Sequence, residues 1–191
     1  MPAPTKVRSD ELIAAGSAQL EEGGLPSLTM AAVAARLGVR APSLYKHVRD
    51  RDGLVALVRS QAFSELSAVL LTVRESDPRQ RIAGFADATR AFADQRPHTY
   101  DLIFRPLSDP ASAGAVPHPA TASTAAPLLS ACAELAGDDD ALNAARTVTS
   151  WLFGFISRAR ADGFALGGDL EAAYRYGRER VIDAITRPEL R

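Results

Sequence analysis

The sequence predicts an all-α protein, and three observations carry that prediction. Apolar residues recur at the i, i+3, i+4, i+7 spacing of a helix face along most of the 191 residues. The breaks between these runs fall at glycine, proline or aspartate, which end or open helices. A hydrophobic content of 47% in a chain of this length suffices for a small N-terminal unit and one larger domain. About nine helices are expected, arranged as a head over residues 1–51 and a helical domain over residues 52–191.

Leu12, Ile13, Ala15 and Leu20 lie on a first helix that Gly23 and Gly24 end. Leu28-Thr29 opens the second, with Thr29 as N-cap and Met30, Val33, Ala34 and Leu37 on one buried face. Gly38 stops it, since glycine tolerates the left-handed conformation that follows many helix ends. Pro42 suits the first turn of a third helix and holds Ala41 extended. Leu44 and Val48 turn inward at i, i+4, leaving Ser43, Lys46, His47 and the edge of Tyr45 to meet phosphates and base edges. Two short helices joined by a tight turn make the shape of a DNA reader.

Charge placement says more than total charge. The chain has 22 basic and 23 acidic residues, a net charge of −1, which by itself suggests no polyanionic partner. Between Arg36 and Arg51, however, Arg36, Arg40, Lys46, Arg49 and Arg51 face the single acid Asp50. That local excess can displace condensed counterions from a phosphate backbone. An amphipathic helical hairpin with a solvated basic face is the plainer alternative.

The stretch GVRAPSLYKHVRDRDGLVALV, from Gly38 to Val58, resembles the recognition helix and following segment of TetR-family transcriptional regulators. The resemblance covers about the first 60 residues, and the two upstream helices fit it. It implies a homodimeric repressor whose head binds a palindromic double-stranded DNA operator and whose C-terminal region binds a small inducer. By position, Arg40, Ala41, Pro42, Ser43 and Lys46 lie where the family makes base-edge and groove contacts. Tyr45 and His47 match its LY-x-H pattern, in which both side chains hold phosphates, and Arg51 takes the place of its usual lysine. Thr29 is counted with these DNA-binding positions. The dipole disfavours a cation at a helix start, and capping by Asp50 or Asp52 together with a facing phosphate would offset that at Arg51.

From Asp52 a fourth helix carries Leu54, Val55, Val58, Ala62, Leu66, Val69, Leu70 and Val73 to about Ser76, a connector between reading head and sensor. Asp77-Pro78 opens a fifth, with Ile82, Phe85, Ala86, Thr89 and Phe92 on one side until about Gln95. Arg96-Pro97 starts a sixth through Tyr100, Leu102, Ile103 and Phe104. The Pro-, Ala- and Ser-rich stretch from Pro106 to about Pro117 reads as a loop, either a connector or a flap beside a ligand entrance. A seventh helix spans about Pro119 to Ala136 with Leu128, Leu129, Cys132 and Leu135 inward.

Gly137-Asp138 separates it from an eighth helix on Leu142, Ala145, Val148, Thr149, Leu152, Phe155, Ile156 and Ala159, which Gly163 to Gly168 ends. Asp169 caps a ninth, whose seam is Leu170, Ala173, Tyr174, Gly177, Val181, Ala184 and Ile185. The segment SWLFGFISRARADGFALGGDLEAAYRYG is similar to the C-terminal half of the family's WHG-type domain, with Phe153-Gly154 in place of the usual His-Gly. No heptad repeat of zipper length is present, so a four-helix dimer interface is expected. Its candidates are Leu142, Ala145, Thr149, Leu152, Leu170, Ala173, Tyr174, Gly177 and Val181.

For a ligand the aromatic residues Phe63, Phe85, Phe92, Tyr100, Phe104, Trp151 and Phe155, with Thr89, are the candidate lining, and each can equally be core. An apolar or aromatic inducer of unknown identity is expected. No GxGxxG, Walker A, GxSxG or HExxH run occurs, and His47, His98 and His118 lack metal-ligand spacing. Neither catalysis nor a cofactor or metal is expected; a Cys132 nucleophile served by His98 or His118 is the one conceivable enzyme arrangement. An activator, or an adaptor sensing a partner protein, would use the same head. The single Cys132 excludes an intrachain disulfide and fits a reducing cytoplasm, and no continuous apolar run reaches the ~20 residues of a membrane span.

Overall fold

The structure, a computed structural model, describes residues 7–104 and 119–187. The expected loop from Pro106 to Pro117, and His118, lie outside the described residues. Helices α1 (Ser9–Ser27), α2 (Met30–Arg36), a 3₁₀ helix (Ala41–Lys46), α3 (Arg51–Leu70), α4 (Pro78–Gln95) and α5 (Pro97–Phe104) come first. After them follow α6 (Pro119–Ala136), a 3₁₀ turn (Asp138–Asp140), α7 (Ala141–Arg160) and α8 (Leu170–Ile185). Among the described residues there is no strand, and the all-α class with an N-terminal helix-turn-helix holds.

The chain divides into two compact units, Met1–Leu66 with Phe92–Ala120, and Ser67–Ala91 with Thr121–Arg191. The head expected over residues 1–51 falls within the first. In that unit Leu12, Leu20, Leu28, Val33, Leu44, Leu54, Val58 and Leu102 form one apolar core. Helix α1 packs on α2 and α5, and α2 on the 3₁₀ helix. Regular α1 geometry breaks at Gly24, whose φ of 68° lies outside the helical region, so Leu25 to Ser27 form a separate turn. Thr29 caps α2 by accepting from Ala32 N at 3.1 Å, and Gly38, at φ 67°, turns the chain after it.

Two expectations are corrected. The third helix is a six-residue 3₁₀ segment instead of an α-helix. Pro42 near its start removes one donor, and Leu44 is the one fully buried side chain within it, too little for longer helical propagation. The connector helix stops at Leu70 and not near Ser76. There Thr72 Oγ1 donates to Val69 O at 2.7 Å, and the exposed Leu71 offers no apolar face to extend the helix.

Helix α3 is also long and apolar enough, at mean hydropathy 1.2, to cross a membrane by length and composition. The run is not continuous, since Asp52, Arg59 and Glu65 interrupt it, and its Leu54, Val58, Ala62 and Leu66 are buried.

In the second unit α7 packs along α8. Asp169 caps α8, its carboxylate accepting from Glu171 N at 2.9 Å and Ala172 N at 3.2 Å. Gly177 marks the closest approach: a Cβ there would sit 2.7 Å from Cζ2 of Trp151, so the indole lies directly on the α8 backbone.

Candidate nucleic-acid interface

The reading segment begins at Arg40, whose extended backbone (φ −86°, ψ 144°) hands the chain into the 3₁₀ helix. Leu44 is fully buried and Val48 nearly so, which fixes the segment to the core of the first unit. Three residues per turn then bring Ser43 and Lys46 to one face and Pro42 and Tyr45 to another, while Ala41, in line with Leu44, packs against the core. Tyr45 is 55% exposed. That exposure leaves much of the ring, and not its edge alone, open to solvent.

The five local cations are not equivalent. Arg36 pairs with Glu22 of α1, and Arg49 Nε donates to Asp50 Oδ2 at 2.8 Å. Asp50 also caps α3, accepting from Gly53 N at 2.9 Å; that bond, followed by the Arg49 contact, holds its carboxyl below the ordinary carboxylate range. Arg51 donates from Nε to Leu28 O at 2.9 Å and from Nη2 to Leu25 O at 2.7 Å. Among the described residues, Arg40 and Lys46 are the cations of this stretch left exposed and without a partner. His47 Nδ1 lies 3.4 Å from Ser9 Oγ, at the start of α1. The Thr29 oxygen, engaged as the α2 cap, keeps only its hydroxyl proton for an outside acceptor.

Residues named from the sequence as ligand lining divide between the units. In the first, Phe92 and Tyr100 are buried, Tyr100 meets Phe104 at 4.7 Å between centroids, and Arg59 lies 5.7 Å over Phe63. In the second, Phe85 and Thr89 are buried, and the Thr89 hydroxyl donates to Phe85 O at 2.8 Å. Trp151 stacks on Tyr174 at 5.7 Å, and Phe155 meets both rings. Thus two ligand candidates and two dimer candidates, Tyr174 and Gly177, come together in one aromatic cluster between α7 and α8.

Tyr174 donates to Asp87 Oδ1 at 3.0 Å, Arg178 Nη1 pairs with the same carboxylate at 2.6 Å, and Arg90 lies 4.3 Å over the ring. Burial first, and then the Asp87 charge, push the phenol pKa up. Of the other dimer candidates, Ala145 and Leu152 are buried within the unit, Thr149 and Val181 are half-buried, and Leu142, Leu170 and Ala173 are exposed. A cleft of about 390 Å³ lies in the α7–α8 loop, lined by Asp162, Phe164, Gly168, Leu170 and Ala173 among others. Cys132 is wholly buried, and burial pushes its thiol up to about 11, which disfavours the thiolate.

Sequence reasoning missed the Arg51 carbonyl contacts, the Arg36 and Arg49 pairings, and the Asp87–Tyr174–Arg178 group. Only the Arg49-Asp50 adjacency carried a signal in the sequence.

The family model for bacterial regulatory proteins of the tetR type matches residues 12–58, and that for the tetracyclin-repressor-like C-terminal domain matches residues 82–181. An uncharacterised HTH-type transcriptional regulator of Mycobacterium tuberculosis is 30% identical, over 80% of this chain and 70% of its own length. The class A tetracycline repressor protein of transposon 1721 from Escherichia coli is 27% identical, over 97% of this chain and 94% of its own. Among solved structures, a TetR variant from Acinetobacter baumannii AYE in complex with minocycline is similar at TM-score 0.67. It is 25% identical, and the match covers 94% of this chain and 96% of that one.

Proposed function

Because this chain belongs to the TetR family of bacterial transcriptional regulators, which bind DNA and are not enzymes, we propose that it is a homodimeric repressor released from a palindromic operator by a small inducer. The observation that carries the reading is the state of Arg40, Tyr45 and Lys46. Among the described residues they stand exposed and without a partner, on a segment whose Leu44 and Val48 are locked in the core. In a major groove Arg40 and Lys46 would donate to guanine O6 and N7 while their charges also displace counterions from the flanking phosphates, with Pro42 and Ser43 against the groove wall and Ala41 held on the core side. Tyr45 and His47 would hold phosphates, and two such heads would enter successive grooves. Residues 1–51 form the head in this reading and residues 52–191 the sensor, in a protein that works in the cytoplasm where its operator lies.

Exposed Leu142, Leu170 and Ala173 on α7 and α8 support a dimer across these two helices. The aromatic side chains of the sensor favour an apolar or aromatic inducer, and a tetracycline is the first probe, given the minocycline held by the Acinetobacter relative. Ligand binding would shift the population away from the operator-competent state, with a coupling of about 1–3 kcal/mol. Selection from random duplex DNA tests the head. Arg40→Ala and Lys46→Ala should each relax a base position, and a uniform loss of affinity would make both residues phosphate contacts only. A thermal-shift screen tests the sensor, whose reading fails if only highly charged compounds bind.

A further inference from the structure

We infer that Arg51 is a positioning residue for DNA binding: its guanidinium ties the start of α3 to the carbonyls of the α1–α2 turn and so fixes the orientation of the reading segment. Nε donates to Leu28 O at 2.9 Å and Nη2 to Leu25 O at 2.7 Å. The two donors sit on one planar fork, which suits two neighbouring carbonyls held at a fixed separation; an ammonium has no such fork. Leu28 is fully buried, so its carbonyl is presented by a rigid part of the core. The Leu28–Arg51 tie closes a loop of 23 residues, and that loop holds α2, the Gly38 turn and the 3₁₀ helix.

The rest of the frame supports the same role. Thr29 caps α2 immediately after Leu28, and Asp50 caps α3 immediately before Arg51. The two ends of the reading segment therefore each carry a cap, and Arg51 joins them. Carbonyl oxygens also offset the unfavourable field of the α3 N-terminus on the cation, the part assigned from the sequence to a facing phosphate. With Nε and Nη2 given to the two carbonyls, the guanidinium makes no phosphate contact in this role, so its replacement leaves the number of neutralised phosphates unchanged. This separates Arg51 from Lys46, whose ammonium has no partner among the described residues.

The test rests on the DNA-reading head proposed above and uses the full chain with a duplex selected from random DNA by the wild type. Operator affinity is measured against salt for Arg51→Lys, Arg51→Gln and Lys46→Ala, at temperatures where circular dichroism shows each variant folded. Both Arg51 variants should weaken binding about tenfold with the slope of log K against log salt unchanged. Lys46→Ala should make the slope shallower by about 0.9. A slope shallower by that amount in Arg51→Gln, with Arg51→Lys close to wild type, would overturn the inference and leave a phosphate contact. A lower melting temperature with unchanged affinity would also overturn it, leaving a role in stability alone. If Lys46→Ala changed neither affinity nor slope, the head assignment itself would fail, whatever Arg51 did. Should Arg51→Gln not fold, the wild-type Arg51 Nε–H resonance decides: slow exchange and an unchanged shift on adding DNA are expected, and a large shift overturns the tie.

Discussion

The Thr99 hydroxyl donates to Glu21 Oε2 at 2.6 Å, across 78 residues of sequence. The same carboxylate accepts from His98 N at 3.2 Å and Thr99 N at 3.1 Å, the first free amides of α5. Arg96 lies 3.5 Å away and also reaches Glu65 at 3.2 Å. A side chain of α1 thus caps α5, which begins at Arg96-Pro97 without a capping side chain of its own.

Burial raises the Glu21 pKa, but the bonds from Thr99 and His98 and the Arg96 charge outweigh it, and the net shift is downward. A carboxylate with a depressed folded pKa contributes stability above its unfolded pKa and loses it as pH falls through the folded one. Glu21→Ala should therefore cost about 1–2 kcal/mol at pH 7, in the range of a lost N-cap. The difference from wild type should shrink below about pH 4. Urea midpoints at pH 7 and pH 3.5 measure both, and a difference independent of pH would contradict the capping role.

Gly177→Ala should destabilise the second unit by about 1–3 kcal/mol, because the added Cβ would lie 2.7 Å from the Trp151 ring. Trp151→Leu in the same chain should recover part of that cost, giving a non-additive double-mutant cycle. Trp151 is the one tryptophan in the sequence, so its fluorescence in Gly177→Ala reports the displacement directly. Strict additivity would show that the indole and the glycine do not touch.

What the sequence made legible was local. Helical spacing identified the buried Leu12, Leu20, Val33, Leu44, Val58, Leu152 and Tyr174, because burial on one face follows from the 3.6-residue period. Thr29 and Asp169 were legible as caps for the same reason, since a cap bonds two or three residues ahead. Arg51 was not, as its acceptors lie 23 and 26 residues back and are main-chain carbonyls without a residue signature. Counting cations likewise overstated the basic face, because Arg36 meets Glu22 from another helix. Trp151 and Tyr174 were assigned to different surfaces from single-helix faces, and only the pairing of α7 with α8 stacks them.

Tyr174→Phe should cost little, about 0.5–1.5 kcal/mol, because Asp87 keeps Arg178 as its partner. Asp87→Ala should cost more, since it strips both the buried phenol and the largely covered Arg178. The raised phenol pKa adds a pH signature. Stability from a raised folded pKa is complete below the unfolded value and is lost as pH climbs past it, so the wild type should weaken above about pH 10. Tyr174→Phe should lack that part of the alkaline loss, and chemical denaturation at pH 9 and 11 measures it.

Arg40, Lys46, Arg36 and Arg49 test whether charge or partnership decides DNA affinity. All four carry the same formal charge within one short stretch, and a count of charges predicts similar effects on replacement. Partnership predicts a split. Arg36 and Arg49 already face Glu22 and Asp50, so their alanine variants expose an acid as they remove a base, and they release few counterions on binding. Arg40→Ala and Lys46→Ala should each reduce the salt slope by about 0.9, while Arg36→Ala and Arg49→Ala should change it by much less. The double variants Arg36→Ala with Glu22→Ala and Arg49→Ala with Asp50→Ala then separate the two effects, because they remove the exposed acid and should return affinity toward wild type. Binding isotherms at four or more salt concentrations measure the slopes, and equal slopes across the four single variants would show that the paired arginines leave their acids to reach the DNA.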